Sequence, residues 1–168
     1  MNNIKIKTNE GFNLKGLYTI KCHNKDGDLK WATAGYNMVV NEGIDHVLDS
    51  TLANGTQEVA WYLFLKSTGA ADATDTMSSP INWTENTSYA GDRKVCSFAA
   101  ASSKSTTNTA SPAVFTMNAT FDIYGIGLTS DATGTAGVLF SVIDFDDHRA
   151  GGATDAITVT YTVSGADS

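Results

Sequence analysis

Ile157, Val159, Tyr161 and Val163 alternate with Thr158, Thr160 and Thr162 near the end of the chain. Successive side chains of a strand point to opposite faces, so this period of two predicts a strand over 156–164 with one face in a core and the other wet or in contact. Leu14–His23 and Leu29–Val40 are also rich in β-formers, and Asn24-Lys25-Asp26-Gly27-Asp28 between them supplies residues able to take positive φ, which predicts a β-hairpin. From Asn41 to Asn54 the period changes. Ile44, Val47, Leu48 and Leu52 fall at helical spacing, with Asn41 placed as N-cap and Gly55 as the stop, predicting one short amphipathic helix. Trp61–Leu65 is apolar at every position, as expected of a central strand buried on both faces. Ser67 to Trp83 is small, polar and aperiodic, and reads as a long surface loop where partner contacts could lie.

Further strands are expected at 93–101, 113–120, 121–129 and 137–145, separated by Ser/Thr/Gly/Asp clusters, with 129–137 as an exposed hairpin tip. No repeat or linker interrupts the series. The predicted fold is therefore mostly β: a two-layer antiparallel β-sandwich, a jelly roll being one such arrangement, with one short helix over an end. Residues 14–168 form its single domain. Residues 1–13 are set apart as a polar N-terminal arm in which only Ile4, Ile6 and Phe12 can act as anchors.

Composition narrows the function. With 168 residues the chain can enclose a real core, and at 42% hydrophobic, 17% charged and two prolines it has no signature of disorder. A net charge of -7 leaves no basic stripe for phosphate contacts, so nucleic acid is not an expected partner. The first residues, MNNIKIKTNEGFNLKG, lack the apolar core of a secretory signal, and no apolar run approaches membrane-spanning length, so the expectation is a soluble product of a cytoplasm with no membrane partner. Cys22 and Cys96 fit no CxxC pattern and read as reduced thiols in strands. The sequons at Asn82, Asn86 and Asn118 then read as chance in a Thr-rich chain.

No catalytic or cofactor set emerges. Asp144-Phe145-Asp146-Asp147-His148 is the densest group of possible ligands, and oxygen-rich loops of this kind hold calcium. Yet Asp144 continues a strand, neighbouring side chains of a strand diverge, and no calcium-loop spacing is present, so a solvated turn is the preferred reading. His23, His46 and His148 have no HExxH companion, no Ser lies in a G-x-S-x-G elbow, and Gly125 and Gly127 sit inside a strand, where close packing or a bulge explains them. The chain is thus expected not to be an enzyme, and no cofactor is expected. Of the aromatic residues, Trp83 and Tyr89 flank a polar loop and are the candidates for partner contact.

As an ordered set, Gly16-Leu17-Tyr18-Thr19-Ile20, Lys25-Asp26-Gly27-Asp28-Leu29-Lys30-Trp31, Asn37-Met38-Val39-Val40-Asn41-Glu42-Gly43-Ile44, Leu48-Asp49, Trp61-Tyr62-Leu63, Asp75-Thr76-Met77, Trp83-Thr84-Glu85 and Ile157–Val163 resemble a family of small tailed-phage virion proteins. The resemblance covers most of the chain. It implies a non-enzymatic virion component, foremost a head decoration or cement protein that binds the major capsid protein as a homotrimer. Under it, Ile4, Ile6 and Phe12 of the arm join Trp83 and Tyr89 as expected contact residues. The competing expectation is a tail- or fibre-associated adhesin domain that binds a host-surface glycan through Trp83.

Overall fold

The computed structural model describes residues 12–80 and 82–167. Two antiparallel sheets face each other, and one helix lies against the second. The first sheet is built from β1 (Phe12–His23), β2 (Leu29–Tyr36), β7 (Ser105–Thr107), β8 (Ala113–Thr116) and β11 (Ala156–Asp167). Its order is β2-β1-β11, with β7 and β8 sharing the far edge of β11. The second sheet holds β3 (Met38–Val39), β4 (Tyr62–Lys66), β5 (Glu85–Asn86), β6 (Lys94–Val95), β9 (Phe121–Thr129) and β10 (Leu139–Gly151), in the order β3-β10-β9-β4, with β5 and β6 along the far edge of β4. This is the expected mostly-β sandwich with a single helix, α1 (Asn41–Leu52).

The predicted hairpin forms because its turn satisfies itself. Asn24 Oδ1 accepts from the amides of Asp26 and Asp28, at 2.9 and 2.8 Å, and Gly27 takes a φ of +89°. The alternating strands bury one face each: Tyr18, Ile20, Ile157, Val159 and Tyr161 meet Leu63, Leu65, Ile123, Ile126 and Leu128 across the gap between sheets. Each such side chain contributes about 1.5–3 kcal/mol on full burial. β4 is buried on both sides, as its unbroken apolar run requires, with Phe64 facing a second, smaller core of Val40, Met77, Trp83, Leu139 and Val142.

That second core corrects the reading of 67–83 as an exposed loop. The segment lies over the outside of the second sheet because Met77 and Trp83 are pulled in, and Trp83 stacks on Phe64 with centroids 5.4 Å apart and planes 11° apart. The helix also differs from expectation in its ends and its orientation. Val40, not Asn41, is the N-cap, and no side-chain bond caps it; at the other end Asn54 takes the left-handed turn at φ +58°, and the Gly55 amide returns to Asp49 O. Gly43 lies so close to Phe140 that a Cβ there would overlap its backbone. The helix therefore docks on Gly43 and Val47, leaving Ile44, Leu48 and Leu52 exposed.

Strand limits shift as well. β1 begins at Phe12, inside the expected arm, and β10 runs on to Gly151, so Asp144–His148 is strand-like rather than a turn. Its register against β9 jumps from Asp144↔Gly125 to Arg149↔Ile123, which pushes residues 145–148 out as a bulge. Gly127 allows close packing, since a Cβ would meet the Phe64 ring.

Candidate functional site

The outer face of the first sheet is set by the parity of its strands. Tyr18, Ile20 and Cys22 point inward on β1, so Lys15, Leu17, Thr19 and Lys21 point out; on β11 the outward set is Thr158, Thr160, Thr162 and Ser164. Register aligns them in rows: Tyr36–Leu17–Thr162–Thr107, then Ala34–Thr19–Thr160, then Ala32–Lys21–Thr158–Val114. The hydroxyls are partly fixed, with Thr162 Oγ1 donating to Thr107 Oγ1 at 3.0 Å and Thr160 Oγ1 donating to Thr19 O at 3.4 Å.

The face carries no acidic side chain among the described residues of these rows; Lys21 stands in the third row and Lys15 beside the first. In a chain of net charge -7 the acids lie elsewhere, with Asp45 and Asp49 on α1 and Asp122 and Asp144 on the second sheet. Small and β-branched side chains already held by a sheet lose little rotamer freedom on contact, so such a surface suits docking against another broad surface. The Thr158/Thr160/Thr162 alternation is the sequence signal for it.

The other candidates are placed differently. Trp83 is 4% exposed and Tyr89 5%, so neither is available as a surface contact. Trp83 Nε1 donates to Asp75 Oδ2 at 2.7 Å, and the Tyr89 hydroxyl donates to Glu85 Oε1 at 3.0 Å, where Arg93 also binds Glu85 through two nitrogens. An aromatic residue beside a polar loop looks external in sequence; here the loop folds over it. Ile4 and Ile6 lie outside the described residues, and Phe12 opens β1.

Asp144 is drawn into structure: Lys66 Nζ is 2.9 Å from its Oδ1, and its Oδ2 accepts from the Ala71 amide at 2.9 Å. Asp147 turns to His148, accepting from its amide at 2.8 Å, while Asp146 is exposed on the bulge. Among the described residues, no three His, Cys, Asp or Glu side chains are grouped to hold a metal ion.

Between the sheets, Ser141 Oγ lies 3.0 Å from the Tyr18 hydroxyl and 3.1 Å from that of Tyr161, which also accepts from Asn37 Nδ2 at 3.0 Å. The two tyrosine rings stack at 4.0 Å. Burial pushes both phenols well above their ordinary range, so the hydroxyls stay protonated and serve as a polar rivet. Compared with models of protein families and with curated proteins, the chain finds no match. Among the described residues no helix is long and apolar enough to cross a membrane.

Proposed function

We propose that this protein is a tailed-phage virion component, a capsid decoration or cement protein that binds the outer surface of the head and stabilises it. The observation that carries the reading is the threonine-rich outer face of the first sheet, whose rows hold no acidic side chain among the described residues in a chain of net charge -7. The ordered motifs that resemble small virion proteins support the same class. In this reading the sheet face meets the major capsid protein, and a homotrimer repeats one modest contact around an axis. Linked contacts gain about 10²–10⁴ in avidity without any new chemistry.

The test uses heads of the phage that encodes the chain, stripped of it and then mixed with purified protein. Cryo-EM of the reloaded heads is expected to show threefold density at capsid symmetry positions. Thr160→Glu, which puts a charge in the middle of the face and gives up the bond to Thr19 O, is expected to weaken head binding at least tenfold while the chain keeps a cooperative melt. Density confined to the tail, or full binding by the variant, would refute the proposal.

A further inference from the structure

A cavity of about 390 Å³ opens between α1 and the two sheets, within the roughly 300–1,000 Å³ of small-molecule sites. Leu128 and Phe140 of the second sheet and Val163 of the first line it beside the rings of Trp61 and Phe98. Its walls are tied in place by backbone. After α1 the Gly55 amide returns to Asp49 O at 2.8 Å, and at the end of the segment that follows Trp61 O accepts from the Cys96 amide at 2.7 Å. Phe98 sits between that bond and the next, from the Ala99 amide to Thr107 O at 2.9 Å, and Thr106 Oγ1 donates to Ala99 O at 2.6 Å. Trp61 meets Phe140 edge-on, with centroids 5.4 Å apart and planes at 64°. The rings are thus held in position before any ligand arrives, which lowers the entropy lost on binding.

The charge around these rings has one sign. Among the described residues Glu58, half-buried, is the one carboxylate on the lining, and no lysine or arginine joins it; the His46 ring packs edge-on against Trp61. Among the described residues, no hydrogen bond or ion pair engages the side chains of Thr51, Gln57 or Glu58 on the rim. Ser50 and Thr51 belong to the last turn of α1, which holds no basic residue, so a carbonyl end with partial negative charge borders the cavity. The faces of aromatic rings are negative as well. An anion is repelled by this set. A neutral sugar ring would meet the rings but leave the Glu58 charge unmatched, and a compact ammonium gives up strongly bound water on entering an apolar site. A quaternary ammonium spreads its charge under methyl groups, so it matches both the rings and the carboxylate.

We propose that this cavity binds an organic cation of the quaternary ammonium class, its methyl groups against Trp61, Phe98 and Phe140 and its charge balanced by Glu58 and the carbonyl end of α1. This does not rest on the capsid reading, because the test needs only the purified chain.

Choline chloride is titrated into the nitrogen-labelled full chain, and the indole N–H signals are followed by NMR. Trp31 and Trp83 serve as references, since their indoles are bonded to Ala150 O and Asp75 Oδ2 away from the cavity. The expected result is a saturable shift of the Trp61 signal with a Kd of about 1 mM or tighter. The neutral alcohol in which a tert-butyl group replaces the trimethylammonium is expected to bind at least about tenfold more weakly, and this comparison needs no variant. Glu58→Gln, checked for an unchanged melt, is expected to weaken choline binding at least about fivefold. No saturable shift up to about 20 mM choline overturns the proposal. Equal binding of the neutral alcohol overturns it too, as does tighter binding of methyl glucoside or full binding by a folded Glu58→Gln chain.

Discussion

Asp155 is buried at the end of the β10–β11 connection, where Lys30 Nζ donates to its Oδ2 at 2.6 Å and the Gly152 amide at 2.8 Å. Burial pushes this carboxyl up, but the hydrogen bonds from Lys30 and Gly152, with the Lys30 charge, outweigh it and hold the group below the usual carboxylate range. Asp72 is held down by the amide and hydroxyl of Thr74, and Asp131 by the amides of Thr133 and Gly134. A carboxyl depressed in the folded state adds stability above its unfolded pKa of about 3.9, and that stability is lost as pH falls through the lower folded value. The melting temperature is therefore expected to be level from pH 5 to 7 and to fall below about pH 4. Asp155→Asn is expected to melt lower at pH 7 but with a shallower acid decline, so melts of both proteins between pH 2 and 7 check the assignment. Thiols behave in the opposite sense. Burial pushes Cys22 up to about 11 and Cys96 up to about 12, so neither is expected to react with a disulfide reagent at pH 8 until the chain is unfolded, when both should titrate.

Among the elements, the 67–83 segment is tied at its start by one buried cation, besides the Met77 and Trp83 side chains that enter the second core. Lys66 closes β4 with no exposure, and its ammonium donates to Ser67 O at 3.3 Å and to Gly69 O while pairing with Asp144. Lys66→Met keeps the stem and removes these ties. Asp144 can turn to water, so the loss falls on the segment: about 1–3 kcal/mol in chemical denaturation, with faster protease cleavage at 67–80. Equal stability and equal cleavage would show that Met77 and Trp83 hold the segment without it. Local chemistry made some elements legible from sequence. The hairpin announced itself through Asn24–Asp28, and the last strand through its alternating Thr. The helix was found by its period, but its orientation was not, because a glycine with no side chain decides which face docks. The 67–83 segment was misread since its composition is polar and its large apolar anchors, Met77 and Trp83, lie at its far end. Trp83 and Tyr89 were misassigned for the same reason, whereas the outer Thr row was in view from the start.

Across the whole molecule, the decisive pairing joins the two ends of the described chain. β1 and β11 are matched at every position from Phe12↔Asp167 to His23↔Ala156, and the bond from Thr160 Oγ1 to Thr19 O spans 141 residues. β11 also carries β7 and β8, so without it the first sheet would retain only the β1–β2 hairpin. A two-stranded hairpin is marginal in water, and the inward Ile157, Val159 and Tyr161 would leave the inter-sheet core open. Closing so long a loop costs entropy before any contact repays it, which places refolding in the millisecond-to-second range rather than microseconds. The outer face shares this dependence, because its rows draw on β2, β1 and β11 together. A chain still missing its last strand presents neither the rows nor a closed core, so the proposed docking surface arises only with the completed fold. Removal of residues 156–168 is accordingly expected to abolish near-ultraviolet circular dichroism and to expose dye-binding apolar surface, although every strand of the second sheet is retained. A truncated chain that kept a cooperative melt would show that the second sheet with α1 folds by itself, and the coupling between closure of β1 on β11 and formation of the face would then be lost.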